Sequence, residues 1–212
     1  MGPEEAGEDV NVGDARLILV TDPRPDLVER VDAAVRGGVD IVQLRDKKTP
    51  PEALVPLAEG LKEACERAGV LFTVNDDMEL ARLVGAGGVH LGEDDATTPR
   101  ARSVLGPDAV VGRSAGSVGV ALEAVRGGAD YLGVGAVFAT PTKPDGKVAG
   151  LGLIQALARE NVPVPWFAIG GVTLETAPSV AAAGAPGFAV VRAVLDAEDP
   201  ADAARELRSL LT

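Results

Sequence analysis

Short apolar runs alternate with longer helix-like segments eight times along this chain, and that alternation constrains its fold more than any other feature. The runs are apolar on both faces and bounded by Gly, Asp or Pro, as expected of buried parallel strands. They cover residues 16–20, 39–44, 70–74, 88–91, 109–112, 130–135, 165–169 and 187–191. Strict alternation predicts an α/β fold, a single (β/α)8 TIM barrel whose functional site lies at the carboxyl ends of the strands.

The segments between the runs are rich in Ala, Leu, Glu and Arg and predict helices, for example over 51–68, 78–84 and 118–126. A helix end followed by glycine and a strand recurs at Gly38, Gly85, Gly128 and Gly184. Glycine after a helix end tolerates a positive φ, so the repeat has a mechanical cause. No linker divides the 212 residues, which predicts one barrel domain over 15–212 and a flexible acidic tail over 1–14.

Charge and cysteine content argue against several classes of function. A net charge of −12 disfavours nucleic acid as a partner, because a phosphate backbone needs a basic surface. No apolar run approaches membrane-spanning length, and the amino-terminal segment lacks the pattern of a signal peptide. Cys65 is the sole cysteine, and we expect a cytoplasmic protein. A small phosphorylated ligand is compatible with this charge, since it needs only a few local cations.

The first polar pattern follows the second predicted strand. Gln43, Arg45 and Lys47 occupy alternate positions, so the period of a strand places their side chains on one side. Leu44 then points the opposite way. Such a set suits an anion or a polar ring. A solvated charged loop is the alternative interpretation.

Carboxylates follow the third and fourth predicted strands. Asn75, Asp76 and Asp77 come directly after the third strand, and Asp95 lies one βα unit further on. Asp76 and Asp95 are therefore expected at neighbouring strand ends, where they predict a Mg²⁺ site completed by phosphate oxygens. Helix capping is the alternative for Asp77, because Asn and Asp are favoured at that position.

Phosphate-binding features follow the last three predicted strands. After the sixth, Thr140, Thr142 and Lys143 offer the donors that a phosphate needs. The loop that contains them is interpreted as a lid, with an ordinary long loop as the alternative. After the seventh and eighth, the backbone around Gly171 and Val191 predicts a phosphate locus of the kind common in these barrels.

In their order and spacing these motifs resemble the thiamine phosphate synthase family. The resemblance runs through residues 19–22, 42–47, 74–76, 88–95, 133–143 and 168–172 and covers essentially all of the chain after the acidic tail. It implies a Mg²⁺-dependent transferase of thiamine biosynthesis. In that reaction hydroxymethylpyrimidine pyrophosphate alkylates the ring nitrogen of thiazole phosphate, which gives thiamine phosphate and pyrophosphate.

The resemblance also implies roles for residues of this chain. The pyrimidine pyrophosphate would contact Gln43, Arg45, Lys47, Asn75, Ser114 and Lys143. Of these, Arg45, Lys47, Ser114 and Lys143 would be the catalytic residues. The thiazole phosphate would contact Thr140, Thr142, Gly171, Val191 and Arg192, and Mg²⁺ would bind Asp76 and Asp95. The pyrimidine ring stabilises the cation left by pyrophosphate, so no base or covalent nucleophile is required. We therefore expect a structural role for His90 and no nucleophilic role for Cys65.

Two positions depart from the family pattern. Arg192 stands where family members usually carry a small hydroxyl residue, and its side chain either binds the thiazole phosphate or turns outward while its N–H binds. The related thiazole tautomerases, which this chain also resembles, use a histidine at the position of Gly116. Glycine cannot transfer a proton, so this position favours a synthase over a tautomerase-like relative. A non-catalytic barrel that binds thiamine-related phosphates is a third hypothesis, disfavoured by Asp76, Asp95 and Lys143. Homo-oligomer formation is compatible with the sequence.

Overall fold

Eight parallel strands close into a barrel in chain order, β1 to β8, which confirms the predicted TIM barrel. The computed structural model describes residues 12–140 and 147–211. The strands are β1 Leu17–Val20, β2 Ile41–Leu44, β3 Leu71–Asn75, β4 Gly88–Leu91, β5 Val110–Ala115, β6 Tyr131–Gly135, β7 Trp166–Ile169 and β8 Phe188–Val190. Strand β1 pairs with both β2 and β8, so the sheet has no edge.

Helices surround the barrel and follow the strands. They are α1 Leu27–Arg36, α2 Pro51–Glu66, α3 Met78–Val84, α4 Thr98–Leu105, α5 Val118–Arg126, α6 Gly150–Ala158, α7 Ala177–Ala182, α8 Arg192–Leu195 and α9 Pro200–Ser209. Helix α9 packs against α1 and completes the outer ring. Within the described ranges, the helices are all too short or too polar to cross a membrane.

The two faces of each strand pack into different cores. On β2, Val42 and Leu44 face outward and join the large cluster between sheet and helices, whereas Ile41 belongs to the barrel interior. Tyr131 and Phe167 fill the interior beside it. Burial on both faces explains why the strands read as continuous apolar runs.

Strand β5 is longer than predicted, and this is a correction. The sequence predicted a strand over 109–112, but β5 extends to Ala115, which pairs with Val134 of β6. Arg113 and Ser114 concealed the extension because polar residues interrupt the apolar run. Ser114 therefore lies within the strand and not beyond it.

The repeated glycines have the conformation that the sequence predicted. Gly38, Gly85, Gly128 and Gly184 all have positive φ, between 62° and 101°. Two of these turns are followed by an aspartate that forms an ion pair with an arginine at the amino-terminal face of the barrel. We call each of these ion pairs a clamp. One of these clamps joins Asp40 to Arg208, and the other joins Asp130 to Arg102.

The amino-terminal segment contacts the barrel before the boundary predicted at residue 15. Val12–Asp14 form one turn of 3₁₀ helix, and Val12 packs against the interior core cluster. Residues 1–11 of the predicted flexible tail lie outside the described part of the chain. That part of the prediction therefore stays a prediction.

Candidate active site

The end of β2 has the alternation that the sequence predicted. Gln43 is buried, Leu44 packs in the outer core, and Arg45 is half-buried where the strand leaves the sheet. The Arg45 backbone N–H donates to Thr21 Oγ1 over 2.9 Å, which ties this strand end to the end of β1. Gln43 and Arg45 thus lie at the rim formed by the carboxyl ends of the strands.

The loop after β2 is shaped by Asp46. Its carboxylate accepts hydrogen bonds from the backbone N–H groups of Lys48 and Thr49 and from the Thr49 hydroxyl. Burial opposes ionisation, but these hydrogen bonds hold the pKa of Asp46 below its usual value. An ionised Asp46 therefore keeps the loop in a fixed turn, with Lys47 projecting from it.

Lys47 and Asp76 meet across the rim. Lys47 Nζ lies 2.9 Å from Asp76 Oδ2, so the loop after β2 contacts the end of β3. Asp76 has a φ of 63°, and its backbone N–H donates to the carbonyl oxygen of His90 on β4. The residue is thus held by main-chain geometry between two strands, and its carboxylate faces a cation.

The residues on either side of Asp76 have different roles. Asp77 caps helix α3, since its Oδ1 accepts from the Leu80 N–H over 2.8 Å; this supports the capping alternative for Asp77. Asn75 is the last residue of β3 and lines a small cleft with Asp46 and Thr49. Asn75 therefore borders the same loop that presents Lys47.

Asp95 lies after the neighbouring strand β4. Its Oδ2 accepts from the Gly92 N–H over 2.6 Å, which folds the carboxylate back over the strand end. Since β3 and β4 are paired, Asp76 and Asp95 follow adjacent strands, as predicted. Across residues 12–140 and 147–211, no three His, Cys, Asp or Glu side chains gather as a metal site. The rim thus carries two carboxylates, those of Asp76 and Asp95, after paired strands.

Ser114 points into the barrel and contacts the only histidine of the chain. Ser114 Oγ lies 3.1 Å from His90 Nε2, and His90 Nδ1 lies 3.2 Å from the Tyr131 hydroxyl. Burial lowers the pKa of His90 to about 4, aided by the charge of Arg113 and opposed by that of Asp95. His90 is therefore neutral near pH 7.

The ends of β6 and β7 lie against each other. The Phe138 N–H donates to the Gly170 carbonyl over 2.9 Å, and a Cβ added at Gly171 would lie 2.6 Å from Phe138 Cβ. Thr140 is on this segment, and a hydrogen bond from Ala149 to Ala136 closes the base of the loop. Thr142 and Lys143, both predicted site residues, lie outside the described residues.

Arg192 turns toward the loop after β1. Its Nε lies 3.3 Å from Asp22 Oδ2, and Arg24 contacts the other oxygen of the same carboxylate. Val191 is the N-cap residue of α8, which follows β8. The Arg192 side chain thus contacts a carboxylate of the loop after β1, and phosphate binding by its backbone N–H stays a prediction.

The Glu93 carboxylate fills the space beside Gly116, the position at which the related tautomerases carry a histidine. The Gly116 N–H donates to Glu93 Oε1 over 2.6 Å, and a Cβ at residue 116 would lie 2.9 Å from that oxygen. Any side chain there would displace the Glu93 carboxylate.

Three contact residues were not recognised from the sequence, namely Asp22 and Glu93 near the rim and Tyr131 in the barrel interior. Asp22 holds Arg192, Glu93 holds Gly116, and Tyr131 holds His90. A period-two signal was available for Tyr131, since it alternates with Gly133 and Gly135 on β6.

Cys65 was expected to have no nucleophilic role. Burial raises the pKa of its thiol to about 12, which agrees with that expectation.

A closed eight-stranded barrel with cations and carboxylates along its carboxyl-end rim places the chain in the class of (β/α)8 barrels, whose functional sites lie at that rim. The model of the thiamine monophosphate synthase family matches residues 17–194. The chain therefore belongs to the thiamine monophosphate synthase family.

Individual relatives agree with that assignment. The chain is 48% identical over 202 residues to a thiamine-phosphate synthase of Synechococcus, which is 93% of this chain and 57% of that protein. It is 44% identical over 211 residues to one of Mycobacterium tuberculosis, covering 93% of this chain and 95% of that protein. The solved thiamine phosphate pyrophosphorylase of Pyrococcus furiosus superposes with a TM-score of 0.83 at 36% identity, covering 93% and 96% of the two chains. The chain spans little more than half the length of several relatives, the Synechococcus protein among them.

Proposed function

We propose that this protein is a thiamine-phosphate synthase, a transferase that joins hydroxymethylpyrimidine pyrophosphate to thiazole phosphate and releases pyrophosphate. The observation that carries the proposal is the contact between Lys47 and Asp76, 2.9 Å apart on the rim of a barrel of this family. One is the predicted pyrophosphate cation and the other the predicted metal ligand. Their meeting supports a single locus for a metal-bound pyrophosphate.

The residues present fit Mg²⁺. Asp76 and Asp95 would hold it, since they supply carboxylate oxygens after the paired strands β3 and β4. Mg²⁺ is commonly bound by one or two carboxylates, with water and substrate phosphates as the remaining ligands. When bound, the ion would neutralise charge on the departing pyrophosphate.

The chain's own residues would bind and orient the pyrimidine substrate. Lys47 and Arg45 would neutralise the pyrophosphate oxygens, and Lys143 would add a third cation from the loop after β6. Gln43, Asn75 and Ser114 would fix the pyrimidine by hydrogen bonds. Pyrophosphate would leave with the electron pair of its bond to the methylene carbon, and the pyrimidine ring would stabilise the cation that remains. The thiazole nitrogen would then bond to that carbon, so positioning and charge neutralisation supply the catalysis.

The thiazole phosphate would lie over β6 to β8. The backbone at Gly171, Val191 and Arg192 would donate N–H groups, and Thr140 and Thr142 would add hydroxyl donors. The segment after β6 packs closely against Gly171, because a Cβ there would lie 2.6 Å from Phe138 Cβ. This locus needs no charge from Arg192, whose side chain contacts Asp22.

The tautomerase alternative has less support than the synthase. A tautomerase of the kind considered needs a histidine at position 116 to move a proton, and the Glu93 carboxylate occupies the space beside Gly116. No described contact favours a non-catalytic barrel either. A cytoplasmic location remains a prediction from the sequence.

Purified protein with hydroxymethylpyrimidine pyrophosphate, thiazole phosphate and Mg²⁺ tests the proposal, with mass detection of thiamine phosphate. Omitting any one component in turn should abolish the product. A tautomerase would instead convert its single thiazole substrate without the pyrimidine. Tight binding of both substrates with no product at saturating Mg²⁺ would contradict the synthase and support a binding protein.

A further inference from the structure

A buried polar pair lies inside the barrel, directly below the rim. His90 is 6% exposed and Tyr131 is fully buried, with 3.2 Å between His90 Nδ1 and the Tyr131 hydroxyl. The second ring nitrogen of His90 contacts Ser114, and Phe167 packs edge-on against Tyr131. Ser114 is thus the upper end of a chain of hydrogen bonds that begins in the core.

The interior is shaped around this pair. A Cβ at Gly112 would lie 2.1 Å from Tyr131 Cζ and 2.6 Å from His90 Nδ1, closer than real Cβ contacts come. A Cβ at Gly133 would lie 3.2 Å from His90 Cε1. Two strands therefore lack side chains where the two rings meet. Apolar side chains usually fill this layer of a barrel, so a polar pair in a space kept open by glycines points to a role beyond packing.

The chemistry of the pair fixes what each group can do. His90 Nδ1 faces the Tyr131 hydroxyl and Nε2 faces the Ser114 hydroxyl, and in a neutral imidazole one of these nitrogens donates while the other accepts. Burial raises the pKa of Tyr131, and its hydroxyl stays protonated. In either tautomer His90 takes one hydrogen-bonding direction of the Ser114 hydroxyl, which leaves the remaining directions for a ligand at the rim.

We propose that His90, held by Tyr131, is a positioning residue that orients the Ser114 hydroxyl toward the pyrimidine pyrophosphate. The inference rests on the proposed function and deepens it, since His90 itself lies below the reacting atoms and acts through Ser114. Without the relay, the serine hydroxyl would rotate among its three staggered positions and meet the substrate in only a fraction of them.

Two substitutions separate the two contacts of His90. The amide of His90→Asn reaches about as far as Nδ1 and keeps a partner for Tyr131, but it loses Ser114. The amide of His90→Gln reaches about as far as Nε2 and keeps Ser114. We expect His90→Asn to lower kcat about tenfold, the loss of one aligned hydrogen bond, and His90→Gln to restore most of it. The KM for thiazole phosphate should not change in either variant.

A double-mutant comparison distinguishes positioning from packing. If His90 acts through Ser114, then His90→Asn causes no further loss in a Ser114→Ala background. Multiplicative losses in the double variant, or equal activity of His90→Asn and wild type, would overturn the inference. If the His90 variants do not fold, Tyr131→Phe replaces them, because it keeps the ring and removes the hydroxyl. Its kcat should fall while its KM for thiazole phosphate stays constant. A wild-type kcat in Tyr131→Phe would overturn the inference. A wild-type protein without turnover would instead refute the proposed function.

Discussion

Arg192 Nε lies 3.3 Å from Asp22 Oδ2, so the cation that departs from the family pattern is bound to the loop after β1. Arg24 shares the same carboxylate and also contacts Asp196, which follows helix α8. Ion pairs therefore join the loop after the first strand to the segment that follows the last strand.

This arrangement predicts a small effect of Arg192→Ser. The side chain is 49% exposed, and an exposed ion pair contributes about 0–1 kcal/mol. We expect the KM for thiazole phosphate to change by less than about threefold, because the backbone N–H is retained. Arg205→Ser on α9, which removes an exposed arginine paired with Asp202, is the matched control. A KM raised about tenfold or more only in Arg192→Ser would show that the side chain binds phosphate.

The Asp40 clamp predicts a loss of stability without a loss of activity. Asp40 Oδ2 accepts from the backbone N–H groups of Arg16 and Leu17 and pairs with Arg208. Asp40→Ala leaves these donors without their acceptor and should lower the free energy of unfolding by about 2 kcal/mol, measured by urea titration. Asp32→Ala, which removes exposed pairs with Arg36 and Arg67, should cost less than about 1 kcal/mol. Equal losses in both variants would contradict the role of the clamp.

Burial of His90 predicts a pH dependence of stability. The folded pKa of about 4 lies below the ordinary value of 6.5, so the unfolded chain binds more protons between these values. His90 should therefore lower the free energy of unfolding as the pH falls from 6.5 to 4, by about 3 kcal/mol. Stability measured against pH should fall less steeply in His90→Gln than in wild type. Parallel curves would show that burial does not lower the pKa of His90 in the folded protein.

The strands and turns were largely predictable, because their causes are local. Apolar runs bounded by turn residues predicted the barrel, and glycine after a helix end predicted the positive φ at Gly38 and Gly128. The alternation of residues in β2 correctly predicted that Leu44 packs in the outer core, on the opposite side of the strand from Gln43 and Arg45. Strand β5 was predicted too short because its last residues are polar and gain their stability from pairing with β6.

The interior of the barrel was less predictable, because it depends on contacts between distant strands. His90 was expected to be structural, and its sequence neighbours do not show that it contacts both Ser114 and Tyr131. Gly112 was predicted to end a strand, but the sequence does not show that its missing side chain makes room for the ring of Tyr131. The side-chain partner of Arg192 could not be predicted, because Asp22 lies 170 residues away in the sequence.

Asp76 is proposed to bind Mg²⁺ in the synthase reaction, and a Mg²⁺ titration of three proteins tests this role. Thiamine phosphate formation is measured in wild type, Asp76→Asn and Asp77→Asn. Asn tolerates the φ of 63° at Asp76 and also caps a helix, so both variants remove one charge and keep the backbone. We expect Asp76→Asn to lower the rate at least about tenfold and to weaken its dependence on Mg²⁺, and we expect Asp77→Asn to stay close to wild type. Superimposable titrations of Asp76→Asn and wild type would contradict this role.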